Sequence, residues 1–171
     1  MHKALPARKF INLPKPAYRG QQIYFATLCC FGKRPVFQGP MLCEWLLALL
    51  SSESSSNHFS VIAYCLMPDH LHLLAKGLHA SSDFLHFLKT LKIKSSRTYA
   101  RQNGEALWQR RFFDHVLRPS EAVEPFAWYI WLNPVRRELV ATTETYAFSG
   151  SYSGMNMPSA WTNPNWQPSW K

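Results

Sequence analysis

Residues 64–74 read Tyr64-Cys65-Leu66-Met67-Pro68-Asp69-His70-Leu71-His72-Leu73-Leu74, a pattern that predicts two β-strands joined by a tight turn at Pro68-Asp69. His70 and His72 begin the second strand. Side chains two residues apart on a strand leave the same face, with Cα atoms about 6.6 Å apart, so both imidazoles can turn toward one point. That geometry can hold a divalent metal, although such a pair is more often two half-buried histidines.

The segments on either side of this hairpin complete the predicted fold. Further strands are predicted at 22–31 and 107–118, and helices at 39–50, 83–101 and 120–132, with the serine-rich stretch 51–57 as a polar connection. The order β-α-β-β-α-β-α is typical of a ferredoxin-like split β-α-β fold. We therefore predict the α+β class, with an antiparallel sheet, helices on one face and an additional C-terminal helix.

The chain of 171 residues is predicted to form one folded domain with an extension at each end. Residues 1–20 are a basic N-terminal arm, residues 21–144 the domain, and residues 145–171 a Trp/Pro-rich tail. The tail either anchors on the domain through its tryptophans or offers them to unpaired bases. The N-terminus does not resemble a secretion signal, and no apolar run approaches the ~20 residues of a membrane span, so we expect a cytoplasmic protein without a membrane helix.

Positive charge is concentrated in one part of the chain. The formal net charge is +9, and residues 84–118 contribute +6 of it because eight Lys and Arg face only Glu105 and Asp114. On the helix predicted there, Lys94, Arg97 and Arg101 form a cationic stripe beside the apolar face. This clustering predicts a polyanion partner, with a solvated surface kept for solubility as the alternative.

A second group of candidate residues lies in Tyr129-Ile130-Trp131-Leu132-Asn133-Pro134. Tyr129 and Asn133 are four residues apart and therefore share one face of a helix. A phenol is a plausible nucleophile when a metal polarises its electrophile, and an amide oxygen can join two imidazoles on Mg²⁺ or Mn²⁺. Taken alone, a tyrosine in this position is more often a core or surface aromatic, and an asparagine before proline is more often a helix terminator.

Together with the hairpin, these residues resemble the IS200-like tyrosine transposases, in particular the branch associated with repetitive extragenic palindromes. The segments that carry the resemblance are Tyr24-Phe25-Ala26-Thr27, residues 67–74, residues 108–118 and residues 129–135. The resemblance covers about residues 18–152. It implies a ferredoxin-like enzyme that cleaves and rejoins single-stranded DNA hairpins, acting as a monomer or homodimer. It further implies that His70, His72 and Asn133 bind Mg²⁺ or Mn²⁺ and that Tyr129 forms a 5′-phosphotyrosine.

Several assignments around this core remain open at the level of sequence. DNA contacts are predicted, from residue type and placement, for Lys94, Arg97, Arg101, Trp108, Arg110 and Arg111. Asp69 either strengthens metal binding or only makes the turn. Two competing interpretations are a non-catalytic DNA-binding regulator of palindromic repeats and a structural zinc site that adds Cys65 to the histidine pair. The four cysteines lack paired spacing and are predicted to be reduced thiols.

Overall fold

A five-stranded antiparallel sheet forms the centre of the molecule. The computed structural model describes residues 13–156 and Gln167, so most of the basic arm and the tryptophans of the tail lie outside the described residues. The strands are β1 (Ile23–Cys29), β2 (Phe59–Met67), β3 (His70–Gly77), β4 (Phe113–Val116) and β5 (Ser149–Gly150). Their order across the sheet is β4-β1-β3-β2-β5. The predicted α+β class and its ferredoxin-like strand order are confirmed.

Helices cover both faces of the sheet. They are α1 (Pro40–Ser56), α2 (Phe84–Asn103), α3 (Glu124–Trp131) and the single turn α4 (Asn133–Arg136). Helices α1 and α2 pack on one face, in a core that includes Tyr24 and Ala26 of β1. Helix α3 packs on the other face, against Phe25. Alternate residues of one strand thus enter different cores, which places α3 opposite α1 and α2.

The serine-rich stretch 51–57 is almost entirely helical, which corrects the predicted end of the first helix at residue 50. Glu53 and Ser54 are buried on α1. The carboxylate of Glu53 accepts a hydrogen bond from Lys94 of α2 at 2.5 Å, and the Asn57 side chain donates to the Glu53 carbonyl at 2.8 Å. Tertiary contacts therefore extend a helix that serine propensity alone disfavours.

Strand β4 and helix α3 are both shorter than predicted. Only Phe113–Val116 pairs with β1, whereas the preceding segment touches the sheet at a single bridge between Trp108 and Cys30. That segment buries its apolar side chains in the core under α1 and α2 and does not extend the strand ladder. Helix α3 begins at Glu124, with Pro125 in its first turn as predicted.

The first residues of the predicted tail pack on the domain. Strand β5 pairs with β2, and the indole of Trp131 donates to the Gly150 carbonyl at 3.0 Å. The hydroxyls of Tyr146 and Tyr152 donate to the carbonyls of Leu66 and Leu47. In the part of the chain that the structure describes, no helix has the length and apolar character needed to cross a membrane.

Candidate active site

One pocket on the α3 face of the sheet brings together the four residues singled out from the sequence. It has a volume of about 380 Å³, and its walls include His70, His72, Tyr129 and Asn133. Their exposed fractions are 6%, 5%, 2% and 8% respectively, so all four side chains are withdrawn from bulk solvent. Strand β3 supplies the histidines, and the consecutive helices α3 and α4 supply the tyrosine and the asparagine. The site is therefore assembled within a single chain.

The two imidazoles converge through their Nε2 atoms. These atoms lie 3.0 Å apart, and the ring planes are inclined by 81°. Two ligands bound at right angles to one ion at about 2.1 Å would lie about 3.0 Å apart. The two nitrogens are within hydrogen-bond distance of each other, and the same spacing fits adjacent ligands of one metal ion.

The other ring nitrogen of each histidine is held by a polar neighbour. His70 Nδ1 lies 2.6 Å from Asp69 Oδ1, and His72 Nδ1 lies 2.8 Å from the Thr27 hydroxyl. A bond at Nδ1 fixes the orientation of an imidazole and keeps Nε2 directed at a ligand. Asp69 therefore acts on His70 as well as forming the turn. Thr27 reaches His72 because the two residues are cross-strand partners of β1 and β3.

Asn133 and Tyr129 are tied to each other at the junction of α3 and α4. The amide nitrogen of Asn133 donates to the Tyr129 carbonyl at 2.7 Å. Only the NH₂ end of an amide can bond a carbonyl, so the amide oxygen is the atom available to a ligand in the pocket. The Tyr129 ring packs near His72 and Phe25, with centroid separations of 5.7 and 6.0 Å.

Positively charged side chains that were not predicted from the sequence also line the pocket or lie beside it. Lys33 and Arg137 line it, and the Arg136 guanidinium lies 5.0 Å from the centroid of the Tyr129 ring. Burial lowers the pKa of Arg136 from its ordinary value. Lys33 has a φ of 54°, a conformation that non-glycine residues rarely adopt and that is often found at functional sites.

Backbone hydrogen bonds connect the turn that carries Lys33 to the β2–β3 hairpin that carries the two histidines. The Cys30 N–H donates to the Asp69 carbonyl at 2.8 Å, and the Lys33 N–H donates to the Cys30 carbonyl at 2.9 Å. In the sequence, Lys33 lies in a short basic segment without helix or strand periodicity. The neighbouring Gly32 indicates a turn there but does not indicate a site. The pairing of distant segments is what places Lys33 beside the histidines.

The structure does not support the DNA contact predicted for Trp108. Only 6% of the residue is exposed, and its indole donates to the Ser95 hydroxyl at 2.8 Å. Its ring also packs near Phe37 in the core under α1 and α2. A ring held in this way cannot stack on a base, so Trp108 is a core residue here.

The predicted cationic stripe lies away from the pocket. Lys94, Arg97 and Arg101 are exposed on α2, which packs on the opposite face of the sheet. Lys94 pairs with the buried Glu53, so its charge is already partly satisfied. Arg110 and Arg111 are exposed and line a different groove. DNA binding by these arginines stays a prediction.

The zinc interpretation finds no support in residues 13–156 and 167. Within these residues, no three His, Cys, Asp or Glu side chains are grouped so that they could hold a metal. All four cysteines are free thiols, and Cys65 is buried in the apolar core under α3. A metal bound at the histidine pair would have to recruit another kind of ligand, such as the Asn133 amide.

The sheet is ferredoxin-like, and its histidine pair faces a tyrosine on a helix. The sequence resemblance predicts this arrangement for a tyrosine transposase. Residues 20–130 match the family model described as "Transposase IS200 like", and this range includes His70, His72 and Tyr129. The chain belongs to the IS200-like transposase family.

Two curated relatives are similar over part of their length. A candidate REP-associated tyrosine transposase of Haemophilus influenzae is 28% identical over 104 residues, which cover 53% of this chain and 58% of the relative. A REP-associated tyrosine transposase of Escherichia coli is 25% identical over 91 residues, which cover 53% of each chain. The chain thus spans about half the length of the curated relatives it matches.

Solved structures show the same fold at low sequence identity. A REP-associated tyrosine transposase bound to a REP hairpin superposes with a TM-score of 0.65 at 21% identity, covering 77% of this chain and 78% of that chain. A candidate transposase from Deinococcus radiodurans gives a TM-score of 0.50 at 18% identity, covering 71% and 88%.

Proposed function

We propose that this protein is a metal-dependent tyrosine transposase, a single-strand DNA endonuclease that cleaves and rejoins DNA near palindromic hairpins. One observation carries the proposal: a single pocket holds His70, His72, Tyr129 and Asn133. Family membership and the relatives named for REP elements support a DNA substrate, and one similar structure was solved with a REP hairpin bound. The proposed partner is therefore a single-stranded hairpin of a repetitive palindromic element.

The proposal includes a divalent metal, Mg²⁺ or Mn²⁺. His70 Nε2, His72 Nε2 and the amide oxygen of Asn133 would hold it, and the 3.0 Å separation of the two nitrogens fits that role. Asp69 and Thr27 would keep the rings turned toward it. When bound, such an ion would draw negative charge from a non-bridging oxygen of the scissile phosphate.

Tyr129 is the proposed nucleophile. Its phenolic oxygen bonds to phosphorus while the bond from phosphorus to the 3′ oxygen breaks; the phenol loses its proton and the departing 3′ oxygen gains one. The products are a 5′-phosphotyrosine on Tyr129 and a free 3′-hydroxyl. Because one phosphoester bond replaces another, a 3′-hydroxyl can attack the phosphotyrosine and rejoin a strand without an external energy source.

The cations of the pocket would complete the phosphate site. Lys33 and Arg137 line its walls, where they would offset the charge of the phosphodiester. Arg136 lies against the Tyr129 ring and would hold the phenol in place through a cation–π contact. Positioning the nucleophile against phosphorus is a large part of the rate advantage available to such an enzyme.

A covalent-adduct assay tests the proposal. Hairpin DNA carrying single-stranded flanks is labelled at its 3′ end in one sample and at its 5′ end in another, then incubated with protein and Mg²⁺ or Mn²⁺. We expect a denaturation-resistant adduct with the 3′ label only and a shortened free strand with the 5′ label. Chelation of the metal should remove both products.

Tyr129→Phe is the matched control, since it removes one hydroxyl and keeps the ring. It should bind DNA and form no adduct. His70→Ala and His72→Ala should also lose the adduct while keeping most of the DNA affinity, because phosphate contacts elsewhere dominate binding. Wild-type protein that binds hairpins but forms no adduct with either metal would establish the competing function, a non-catalytic regulator of palindromic repeats.

A further inference from the structure

Three side chains of β1 line the catalytic pocket in chain order, and the turn that carries Lys33 begins directly after the last of them. They are Phe25, Thr27 and Cys29. Successive members are two residues apart and therefore share one face of the sheet, with Cα atoms about 6.6 Å apart. The histidine pair lies opposite the last two members, across the ladder to β3. The histidines are thus placed between Phe25 and the turn.

Tyr129 and Lys33 therefore flank the histidine pair. The Tyr129 ring lies near Phe25, at a centroid separation of 6.0 Å, whereas Lys33 lines the pocket from the turn at the other end of the row. In an in-line displacement, the nucleophile and the leaving group lie on opposite sides of phosphorus. A phosphate held at the histidine pair and attacked by Tyr129 would thus direct its departing 3′ oxygen toward Lys33.

The turn that carries Lys33 is also fixed to the segment that follows α2. The Phe31 N–H donates to the Leu107 carbonyl at 2.9 Å. The Arg34 guanidinium donates to the Ala106 carbonyl at 2.8 Å. Beyond this fixed backbone, the four-carbon stem of a lysine is flexible, so the ammonium can follow an oxygen as a bond breaks. Lys33 is exposed, so solvent can return a proton to it after a cleavage.

Among the described residues of the pocket, Lys33 is the side chain best suited to give a proton. An ammonium can lose a proton, whereas the guanidinium of Arg137 keeps its protons in proteins. The Asp69 carboxylate already bonds to His70 Nδ1 at 2.6 Å. The histidines are the proposed metal ligands, and a ligating Nε2 has no proton to donate. The thiol of Cys29 is the competing donor in this pocket.

We infer that Lys33 is the general acid of the cleavage step, a further catalytic residue of the proposed reaction. As the bond between phosphorus and the 3′ oxygen breaks, the Lys33 ammonium donates a proton to that oxygen and becomes a neutral amine. The phenolic proton of Tyr129 passes to solvent as its oxygen bonds to phosphorus. In rejoining, the amine accepts the proton of the attacking 3′-hydroxyl. This role rests on the proposed function, since it concerns the same phosphate.

A sulfur substitution in the DNA tests this role. One hairpin substrate carries sulfur in place of the scissile 3′ oxygen, and a second keeps the oxygen. A thiol has a pKa of about 8.5, far below that of an alcohol, so sulfur departs without a proton. Adduct formation is measured in a single turnover with the same metal, and each variant is compared with the wild type on the same DNA. A thiol-reactive dye counts the released 3′-thiol.

Lys33→Arg is the main variant, because it keeps the positive charge but is a poor proton donor. We expect it to form adduct about 100-fold more slowly than the wild type on the oxygen DNA, and within about threefold of the wild-type rate on the sulfur DNA. Lys33→Met should show the same selective defect, with an additional loss on both DNAs because the charge is removed. Arg137→Met is the matched control and should slow both DNAs by similar factors.

Two binding measurements separate proton transfer from a structural role. Lys33→Arg should bind hairpin DNA without metal, and Mn²⁺ in calorimetry, as tightly as the wild type. A fall in either affinity that matches the rate loss would overturn the inference. Equal rate losses on the two DNAs, or no loss on either, would also overturn it. An oxygen-selective loss in Cys29→Ala without one in Lys33→Arg would assign the proton to the thiol instead.

Failure of this role is distinguishable from failure of the proposed function. Wild-type protein that forms no adduct on either DNA would overturn the proposed function and this role with it. A wild-type adduct on both DNAs, without an oxygen-selective loss in Lys33→Arg, would overturn the role of Lys33 alone.

Discussion

At the scale of single residues, a hydroxyl on β1 fixes the orientation of the His72 ring. The Thr27 hydroxyl lies 2.8 Å from His72 Nδ1, directly across the strand pair. His70 receives equivalent support from Asp69 at 2.6 Å. Since each ring is held at Nδ1, the two Nε2 atoms meet at one point. The proposed metal site therefore depends on these neighbours as well as on its ligands.

Thr27→Val tests this dependence with little change in shape. Valine keeps the β-branched form suited to a strand but lacks the hydroxyl, so His72 loses its partner. We expect Mn²⁺ affinity, measured by calorimetry without DNA, to fall about tenfold. Thr27→Ser keeps the hydroxyl and should bind Mn²⁺ nearly as well as the wild type. Equal Mn²⁺ affinity in the valine variant would show that Thr27 does not position the ligand.

The main site residues could be predicted from sequence because their spacing placed each pair on one face and the family resemblance then singled the pairs out. The histidine pair follows from strand periodicity, and the Tyr129/Asn133 pair from helix periodicity. Lys33 and Arg137 could not be predicted in this way. They reach the pocket from a loop and a helix end, and only the register of β1 against β3 and the packing of α3 bring them there.

At the scale of elements, Glu53 on α1 and Lys94 on α2 link the two helices of one sheet face. Their charged atoms lie 2.5 Å apart, with side-chain exposed fractions of 4% and 54% respectively. Removing the lysine leaves a buried carboxylate without its partner, which is costly even though the lysine itself is half exposed.

Lys94→Met should therefore lower the free energy of unfolding by about 1–2 kcal/mol, as measured by urea denaturation. The double variant Glu53→Met/Lys94→Met should recover much of this loss, since no charge is then left buried. A variant with unchanged stability and reduced DNA affinity would instead support the DNA contact predicted from sequence for Lys94.

The connection from β4 to α3 contains a pH-sensitive contact. The Glu121 carboxylate accepts hydrogen bonds from the Arg118 N–H at 2.7 Å and from His115 at 3.0 Å. Burial alone would raise the pKa of Glu121, but these hydrogen bonds and the nearby positive charges lower it below its ordinary value of 4.5. A lowered carboxyl pKa stabilises the fold at higher pH, and this contribution is lost as the pH falls through the folded-state pKa.

We expect wild-type protein to lose more stability than Glu121→Gln as the pH falls from about 6 to about 3. The measurement is the free energy of unfolding in urea at a series of pH values. Above the ordinary Glu pKa, the wild type should be the more stable of the two. Parallel curves for the two proteins would show that this contact does not contribute to the stability of the β4–α3 connection.

At the scale of the whole molecule, the strand order could be predicted because alternation, turn signals and helix periodicity agreed along most of the chain. Errors arose where tertiary contacts overrode local preference. The serines after residue 50 remain helical because Glu53 and Ser54 are buried, and Trp108 is drawn into the core by Ser95 and Phe37. The basic patch read from sequence lies on the face of the sheet that α1 and α2 cover, opposite the pocket that holds the histidines.

The assembly of all four site residues within one chain leads to a prediction about how subunits act. His70, His72, Tyr129 and Asn133 share one pocket, so a complete site does not require a second copy. We therefore expect a mixture of Tyr129→Phe and His70→Ala proteins to remain inactive in the adduct assay, because every subunit then lacks one essential group. A mixture of wild-type and Tyr129→Phe proteins should form adduct in proportion to the wild-type fraction. Restored activity in the first mixture would show that the tyrosine of one copy serves the histidines of another, and that the arrangement seen here rearranges on DNA.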